Sequence, residues 1–192
     1  INQTLDLFSQ GFYNVNMEIE VFDNYLPDRE YSIIHDCMLG YNDGGDIHHS
    51  FTWNFVDHIA SSPCPDKYFQ FIHILFMDHT ILSPYFDIVK PIIKKESMVA
   101  LNRIKCNMVI GSEELKIFKN SFHCDVAPKT AEKITTAIYY VNSNNGFTLF
   151  EDGTKVESIG NRLVRFPGYL KHTGTTCTDA NRRALINFNY YT

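Results

Sequence analysis

A series of short β-type runs separated by turn signals, filling the chain from Met98 onward, most constrains how this sequence can fold. The runs are rich in β-branched and aromatic residues, and segments such as NSNNG and EDGT stand between them. Regular spacing of strands and hairpin turns favours a sandwich or barrel of antiparallel strands. In order, the runs read MVALNRIKCNMVIG, KITTAIYYVN, GFTLFED, TKVESIG, NRLVRFPG and RRALINFNYYT.

The first half of the chain has a mixed pattern. An alternating run, NMEIEVFDNYLP, predicts a strand that stops at Pro27, and PDREYSIIHDCMLG has the acidic start and terminal glycine of a helix. The segment WNFVDHIASS suggests a second short helix. A further helix is predicted from Ser83, with Pro91 as a kink. The apolar run YFQFIHILFM fits a buried strand or a buried helix equally well.

These patterns predict one domain over residues 1–192, of the α+β class and mainly β. Residues 1–97 form a mixed helix and strand buttress in this interpretation, and residues 98–192 form the β-core. The sequence has no internal repeat, low-complexity tract or Gly/Ser linker that would mark a second domain.

Composition excludes some classes of function. A net charge of -5 and a pI near 5.9 argue against a nucleic-acid partner. The five cysteines form no CxxC pair, which argues against a zinc knuckle and a disulfide framework and favours a cytoplasmic location. No apolar run approaches the roughly 20 residues that span a bilayer, so no membrane partner is expected.

The candidate metal ligands begin with His123 and Asp125, which are separated by one residue. With 8 histidines and 22 acidic residues in 192, about one such pair is expected by accident. In a strand, however, both side chains would project from one face, as two-thirds of the 2-His-1-carboxylate triad that holds non-haem Fe(II). The only histidine downstream of this pair is His172, which would complete the triad. Its alternative interpretation is a surface histidine beside Lys171.

Ten residues beyond His172 lies Arg182, at the start of the last β-type run. An H-x-D pair, a distal histidine and a basic residue about ten positions later resemble the Fe(II)/2-oxoglutarate-dependent dioxygenases. The resemblance covers the C-terminal two-thirds of the chain at most. It implies a double-stranded β-helix, a jelly-roll or cupin-like barrel, in which His123, Asp125 and His172 are the catalytic iron ligands and Arg182 binds the far carboxylate of 2-oxoglutarate.

The segment TTAIYYVNSNNGFTLF is similar to the prolyl 4-hydroxylase-like branch of that superfamily. In that branch a tyrosine at the position of Tyr140 binds the 2-oxoglutarate carboxylate beside the basic residue. Other branches have Ser or Thr two residues after the arginine, where this chain has Ala184. Because two arginines are adjacent, the sequence leaves open whether Arg182 or Arg183 binds this carboxylate. Residues two apart share one face of a strand, and Arg182 shares its face with apolar residues expected to point inward, which favours Arg182. No role is assigned to Thr148.

By this resemblance the chain is a hydroxylase that uses Fe(II), 2-oxoglutarate and O2, with ascorbate as a candidate reductant. It would release succinate and CO2 while oxidising a prolyl residue of a peptide, an amino acid or another small substrate. The sequence leaves two alternatives open. One is a cupin-type metal enzyme that does not use 2-oxoglutarate, and the other is a non-catalytic β-barrel binding or structural domain.

The other histidines and nucleophiles are better explained by structural roles. His48 and His49 are adjacent and would point to opposite faces of a strand, so a loop is expected. No hydrolase context surrounds Cys64. Three further histidines lie in apolar runs and are expected to be core or edge residues: His58, His73 and His79.

Overall fold

The computed structural model describes residues 19–40, 51–60, 66–126 and 128–192. The strands are β1 (Glu20–Phe22), β2 (Asn54–Val56), β3 (Gln70–Met77), β4 (Thr80–Ile81), β5 (Ala100–Ile110), β6 (Thr135–Tyr140), β7 (Phe147–Phe150), β8 (Lys155–Glu157), β9 (Arg162–Pro167), β10 (His172–Thr173) and β11 (Arg182–Tyr191). The α-helices are α1 (Asp28–Leu39), α2 (Lys90–Lys95) and α3 (Pro128–Ala131), and a 3-10 turn covers Phe86–Val89.

The strands form two antiparallel sheets. The larger has the order β1-β9-β6-β11-β5-β3-β2, with β4 paired to β3, and the smaller has the order β10-β7-β8. Strands β1 and β3, from the first half of the chain, extend the larger sheet, because β1 pairs with β9 and β3 pairs with β5. The fold is thus mainly β with few helices, and the first half contributes strands to the sheet as well as helices.

The larger sheet is covered on both faces, which gives the molecule two apolar layers. One face packs against α1 and α2, where Ile34 and Ile92 meet Ile186 of β11 in one core cluster. The other faces the smaller sheet through a second cluster that includes Tyr140 and Phe150. Since side chains alternate along a strand, β11 sends successive residues into different layers.

The sequence accounts for α1 directly. Pro27 precedes the helix, Asp28 and Glu30 place negative charge at its positive end, and Gly40 follows its last residue with a φ of 82°. The residues Ile34 and Met38 are four apart and share the buried face. None of the helices in the described ranges is long and apolar enough to cross a membrane.

Two local predictions need correction. Within the predicted helix WNFVDHIASS, Asn54–Val56 form strand β2, which pairs with β3, and residues 57–60 form bends. The helix predicted from Ser83 begins later, as the 3-10 turn followed by α2, and Pro91 lies in the first turn of α2, where its missing N–H costs nothing, so it is not a kink. The ambiguous run YFQFIHILFM is strand β3.

Candidate metal centre

The two sheets bring His123, Asp125 and His172 together. His123 follows β5 and His172 opens β10, and each donates its backbone N–H to the carbonyl of the other at 3.0 Å. The Nε2 atoms of both histidines lie 3.8 Å from the Asp125 carboxylate, one on each oxygen. One ligand atom from each residue can be chosen so that all three lie within 4.8 Å of one another. His123 lies on a single β-bridge rather than in the regular strand predicted for it, yet its side chain and that of Asp125 still converge.

Hydrogen bonds fix the orientation of both imidazoles. The Nδ1 of His123 lies 2.9 Å from the Ser121 carbonyl, and the Nδ1 of His172 lies 3.2 Å from the Leu170 carbonyl. A carbonyl can only accept, so each Nδ1 carries the proton and each Nε2 keeps a free lone pair. Both lone pairs are on the side of Asp125. Metal-binding histidines usually donate such a hydrogen bond from the ring nitrogen that does not bind the metal.

Asp125 is buried and held in its charged form. Arg103 donates to its carboxylate at 3.0 Å and to its backbone carbonyl at 3.2 Å. The amides of Asn187 and Asn189 lie 3.5 and 3.4 Å from the other oxygen. Burial alone would raise the pKa of Asp125, but His172, in the protonated form that it takes at low pH, and the Arg103 guanidinium lower it to about 2, with smaller contributions from His123 and Lys105.

The donor set fits a divalent transition metal. Two neutral imidazoles and one carboxylate are the ligands of non-haem Fe(II) sites that keep positions open. Burial lowers the pKa of His172, so this imidazole is neutral near pH 7, as a ligand must be. Phe150 and Phe166 pack against the His172 ring, with centroids 6.0 and 5.0 Å away, and shield that side of the site from water. The residues present therefore fit Fe(II).

A buried guanidinium lines the same pocket as the two histidines. Arg183 is only 3% exposed, donates its Nε to Ser158 Oγ at 2.6 Å and donates an Nη to Thr148 Oγ1 at 3.1 Å. No carboxylate in the described ranges pairs with it. A buried charge without a counter-charge is costly, so an anion in this pocket would stabilise Arg183.

Arg182, which strand parity favoured as the anchor, does not line the pocket, whereas Arg183 does. The Arg182 guanidinium donates to the carbonyl of Leu39, at the end of α1. The apolar residues that share its parity, Ala184 and Ile186, face the helix layer. Strand parity favoured Arg182 on the premise that its apolar neighbours line the only buried face of the sheet. The larger sheet is in fact buried on both faces, and the pocket lies on the other one.

Tyr140 lies beside Arg183, whereas Arg182 was the basic residue preferred from the sequence. Its hydroxyl donates to Thr148 Oγ1 at 2.7 Å, and the Arg183 guanidinium stands 5.7 Å from its ring centroid. Thr148, given no role from the sequence, therefore joins both groups. Gly146 is needed here because a Cβ on it would lie 2.7 Å from the Arg183 side chain.

Sequence reasoning missed a row of polar residues on the pocket-facing side of β5 and β11. Arg103, Lys105 and Asn107 alternate with buried apolar residues along β5, and Asn187 and Asn189 do so along β11. The pairing register sets Asn187 opposite Lys105 and Asn189 opposite Arg103. Polar residues at period two within otherwise apolar strands were the signal that could have revealed them.

Asp66 was also missed, and it holds the segment that leads to His123. Its carboxylate accepts from the backbone and side-chain N–H groups of Asn120 and, at 2.7 Å, from Ser121 Oγ. Ser121 in turn provides the carbonyl that orients His123. No local pattern marks this contact, since 54 residues separate Asp66 from Asn120.

The remaining histidines in the described ranges lie outside the metal cluster. His73 is a satisfied core histidine, bonded to Ser83 at 2.7 Å and to the Thr52 carbonyl at 2.6 Å. The partly exposed His58 lies beside Asp57, and His79 is in an exposed turn. The predictions for His48, His49 and Cys64 concern residues outside the described ranges.

Comparison of the chain with known proteins gives matches in structure alone. No protein-family model matches the sequence, and no curated protein is similar to it. The collagen prolyl hydroxylase of Paramecium bursaria Chlorella virus-1, solved with 2OG, is 12% identical with a TM-score of 0.55, over 92% of this chain and 98% of that one. A prolyl hydroxylase from Trichoplax adhaerens, solved with a hypoxia-inducible-factor peptide, is 15% identical with a TM-score of 0.54, over 92% and 84%.

A third structure is more similar in shape. The 2OG-Fe(II) oxygenase-family oxidoreductase of Burkholderia pseudomallei has a TM-score of 0.63 at 10% identity, over 90% of this chain and 84% of that one. At such identities the similarity concerns the fold, and it extends over nearly the whole chain, beyond the part in which the sequence motifs lie. Together with the His-Asp-His cluster, it shows that this chain has the fold of the 2-oxoglutarate- and Fe(II)-dependent oxygenases, prolyl hydroxylases among them.

Proposed function

We propose that this protein is an Fe(II)- and 2-oxoglutarate-dependent dioxygenase that hydroxylates a small molecule or a peptide residue. The observation that carries the proposal is Arg183, a buried guanidinium without a carboxylate partner in the described ranges, in the same pocket as a His-Asp-His cluster. A metal site alone would have no need of this cation. A dicarboxylate that binds the metal with one end and Arg183 with the other would satisfy both.

In this mechanism Fe(II) would be held by the Nε2 atoms of His123 and His172 and by Asp125, and when bound it supplies the activation of O2. Arg183 binds the far carboxylate of 2-oxoglutarate by charge-assisted hydrogen bonds and so sets its position relative to the metal ligands. The apolar side chains of the pocket wall, among them Ile138 and Leu185, exclude water around the reacting groups.

The overall reaction balances in atoms and electrons. One oxygen atom of O2 enters a substrate C–H bond as a hydroxyl group, and the other enters succinate. Oxidative decarboxylation of 2-oxoglutarate releases CO2 and provides two electrons, and the C–H bond provides the other two that reduce O2. Ascorbate would serve as a reductant that restores Fe(II) after an uncoupled turnover.

Prolyl residues are the first substrate class to test. Support comes from the tyrosine at position 140 and from structural neighbours that are themselves prolyl hydroxylases. A free amino acid remains the second candidate within the same reaction type.

The test is anaerobic titration of the Fe(II)-loaded protein with 2-oxoglutarate, following the visible charge-transfer band of the chelate. Replacing Arg183 by Met should raise the Kd for 2-oxoglutarate at least about 100-fold, because it removes two or more charge-assisted hydrogen bonds. The matched control, Arg182→Met, should change this Kd by less than about twofold, and His172→Ala should abolish the band.

Absence of the band in the wild-type protein would refute the proposal. If Fe(II) still bound in that case, the cupin-type enzyme that does not use 2-oxoglutarate would replace it. A larger effect of Arg182→Met than of Arg183→Met would move the carboxylate anchor to Arg182.

A further inference from the structure

A second polar pair lines the pocket at the end away from Arg183. Lys105 of β5 and Asn187 of β11 are direct cross-strand partners, and both side chains line the pocket. They lie four residues along β11 from Arg183, a distance of about 13 Å at the usual strand rise. This places the pair beside Asp125, since the Asn187 amide lies 3.5 Å from that carboxylate.

The Lys105 ammonium has no hydrogen bond or ion pair with any residue in the described ranges. Asp125, the acidic group whose charge acts on it, is already engaged by Arg103 and by the two imidazoles. Burial, with a contribution from Arg103, lowers the pKa of Lys105, which is the mark of an ammonium lacking a counter-charge. Three cations, Arg103, Lys105 and Arg183, thus accompany one carboxylate, so a bound divalent metal and 2-oxoglutarate would still leave an excess of positive charge.

Among the described residues, Asn187 lacks a hydrogen-bond donor, whereas Lys105 lacks an acceptor. The Asn187 Oδ1 atom is buried and has no hydrogen-bond partner in the described part of the chain. The orientation of the amide is fixed, because turning it over would bring this oxygen against the Asp125 carboxylate. An unpaired buried acceptor needs an N–H or O–H donor. The ionised carboxylates of 2-oxoglutarate only accept, so the donor comes from the prime substrate or from water.

We infer that Lys105 and Asn187 form a subsite for a prime substrate that bears a free carboxylate with an N–H or O–H donor on the adjacent carbon. A free α-amino acid has this arrangement. Its carboxylate accepts from the Lys105 ammonium and its amino group donates to Asn187 Oδ1, which brings its side chain to the metal cluster. This inference rests on the proposed function and narrows it from peptide residues to free amino acids.

The experiment uses the protein loaded with Fe(II) and 2-oxoglutarate under anaerobic conditions and measures binding of free L-amino acids, L-proline among them, by isothermal titration calorimetry. Each amino acid that binds is compared with its carboxamide and with the acid that lacks the amino group. Both analogues should bind at least about tenfold more weakly, the loss expected when a hydrogen bond of a charged group is removed.

The variants separate Lys105 from other cations. Lys105→Met should weaken amino-acid binding at least about tenfold and leave the Kd for 2-oxoglutarate within about twofold. Lys105→Arg, which keeps the charge, should retain most of the amino-acid affinity. The control Lys94→Met removes an exposed lysine of α2 and should change neither Kd.

Three results would overturn the inference: no free amino acid binds, the carboxamide binds as well as the amino acid, or Lys105→Met weakens 2-oxoglutarate and not the amino acid. In the last case Lys105 would belong to the co-substrate. Since the 2-oxoglutarate titration is run first, failure of the proposed function shows as absent 2-oxoglutarate binding, whereas failure of this inference leaves that binding intact.

Discussion

At the scale of single residues, Thr148 connects Tyr140 to Arg183 in the wall of the pocket. Its Oγ1 accepts from the Tyr140 hydroxyl at 2.7 Å and from Arg183 at 3.1 Å. A hydroxyl has two lone pairs and one hydrogen, so both lone pairs are used and the hydrogen remains available for a ligand. Thr148 can therefore donate to the same carboxylate that Arg183 is proposed to bind.

Thr148→Val tests this directly, because valine keeps the shape and removes the hydroxyl. The Kd for 2-oxoglutarate should rise about tenfold, since one donor is lost and the Arg183 guanidinium loses a contact that orients it. Titration of the Fe(II)-loaded variant gives the value, with Thr80→Val on an exposed strand as the control. An unchanged Kd in Thr148→Val would show that the hydroxyl does not contact the ligand.

At the scale of elements, β11 serves two layers at once. Its even-numbered residues Ile186 and Phe188 are fully buried in the cluster with the helices. Its odd-numbered residues Arg183 and Asn187 line the pocket. A strand that is buried on both faces lacks the alternation of exposed and buried residues that would distinguish the two faces. The sequence of β11 therefore does not indicate which face holds the site.

This division predicts that substitutions on one face of β11 spare the other. Ile186→Ala should lower the free energy of unfolding by about 2–5 kcal/mol, because it leaves a cavity in the helix-facing core. The Kd for 2-oxoglutarate should stay within about threefold of wild type, because Ile186 does not face the pocket. Urea denaturation and the anaerobic titration measure the two quantities, and a large loss of affinity in folded Ile186→Ala would mean that the layers are coupled.

At the scale of the whole molecule, the metal cluster joins parts of the chain that are distant in sequence. His172 belongs to the smaller sheet, whereas Asp125 is held by Arg103, Asn187 and Asn189 of the larger one. A metal bound by these residues would cross-link the two sheets. Because such a site exists only in the folded protein, metal binding there would stabilise the fold.

Thermal unfolding with and without Mn(II), which takes the same N and O donors, measures this linkage. A metal concentration of 100 times its Kd adds about 2.7 kcal/mol of stability, which should raise the Tm by roughly 5–10 °C. His172→Ala should show little or no shift. A single transition is expected for the predicted single domain over residues 1–192; two separate transitions, of which Mn(II) moves only one, would contradict that prediction.

Sequence patterns alone predicted strands β5 to β9 and β11, the α1 helix with its acidic first turn and terminal Gly40, and the three clustered residues His123, Asp125 and His172. These follow from local properties: side-chain periodicity, turn and capping residues, and the order and spacing of a few polar residues. The tertiary structure decided the rest. It placed Arg183 rather than Arg182 in the pocket, made β2 a strand through its pairing with β3, and set Lys105 opposite Asn187. Each of these depends on which elements lie against a strand, and that is set by packing between distant segments.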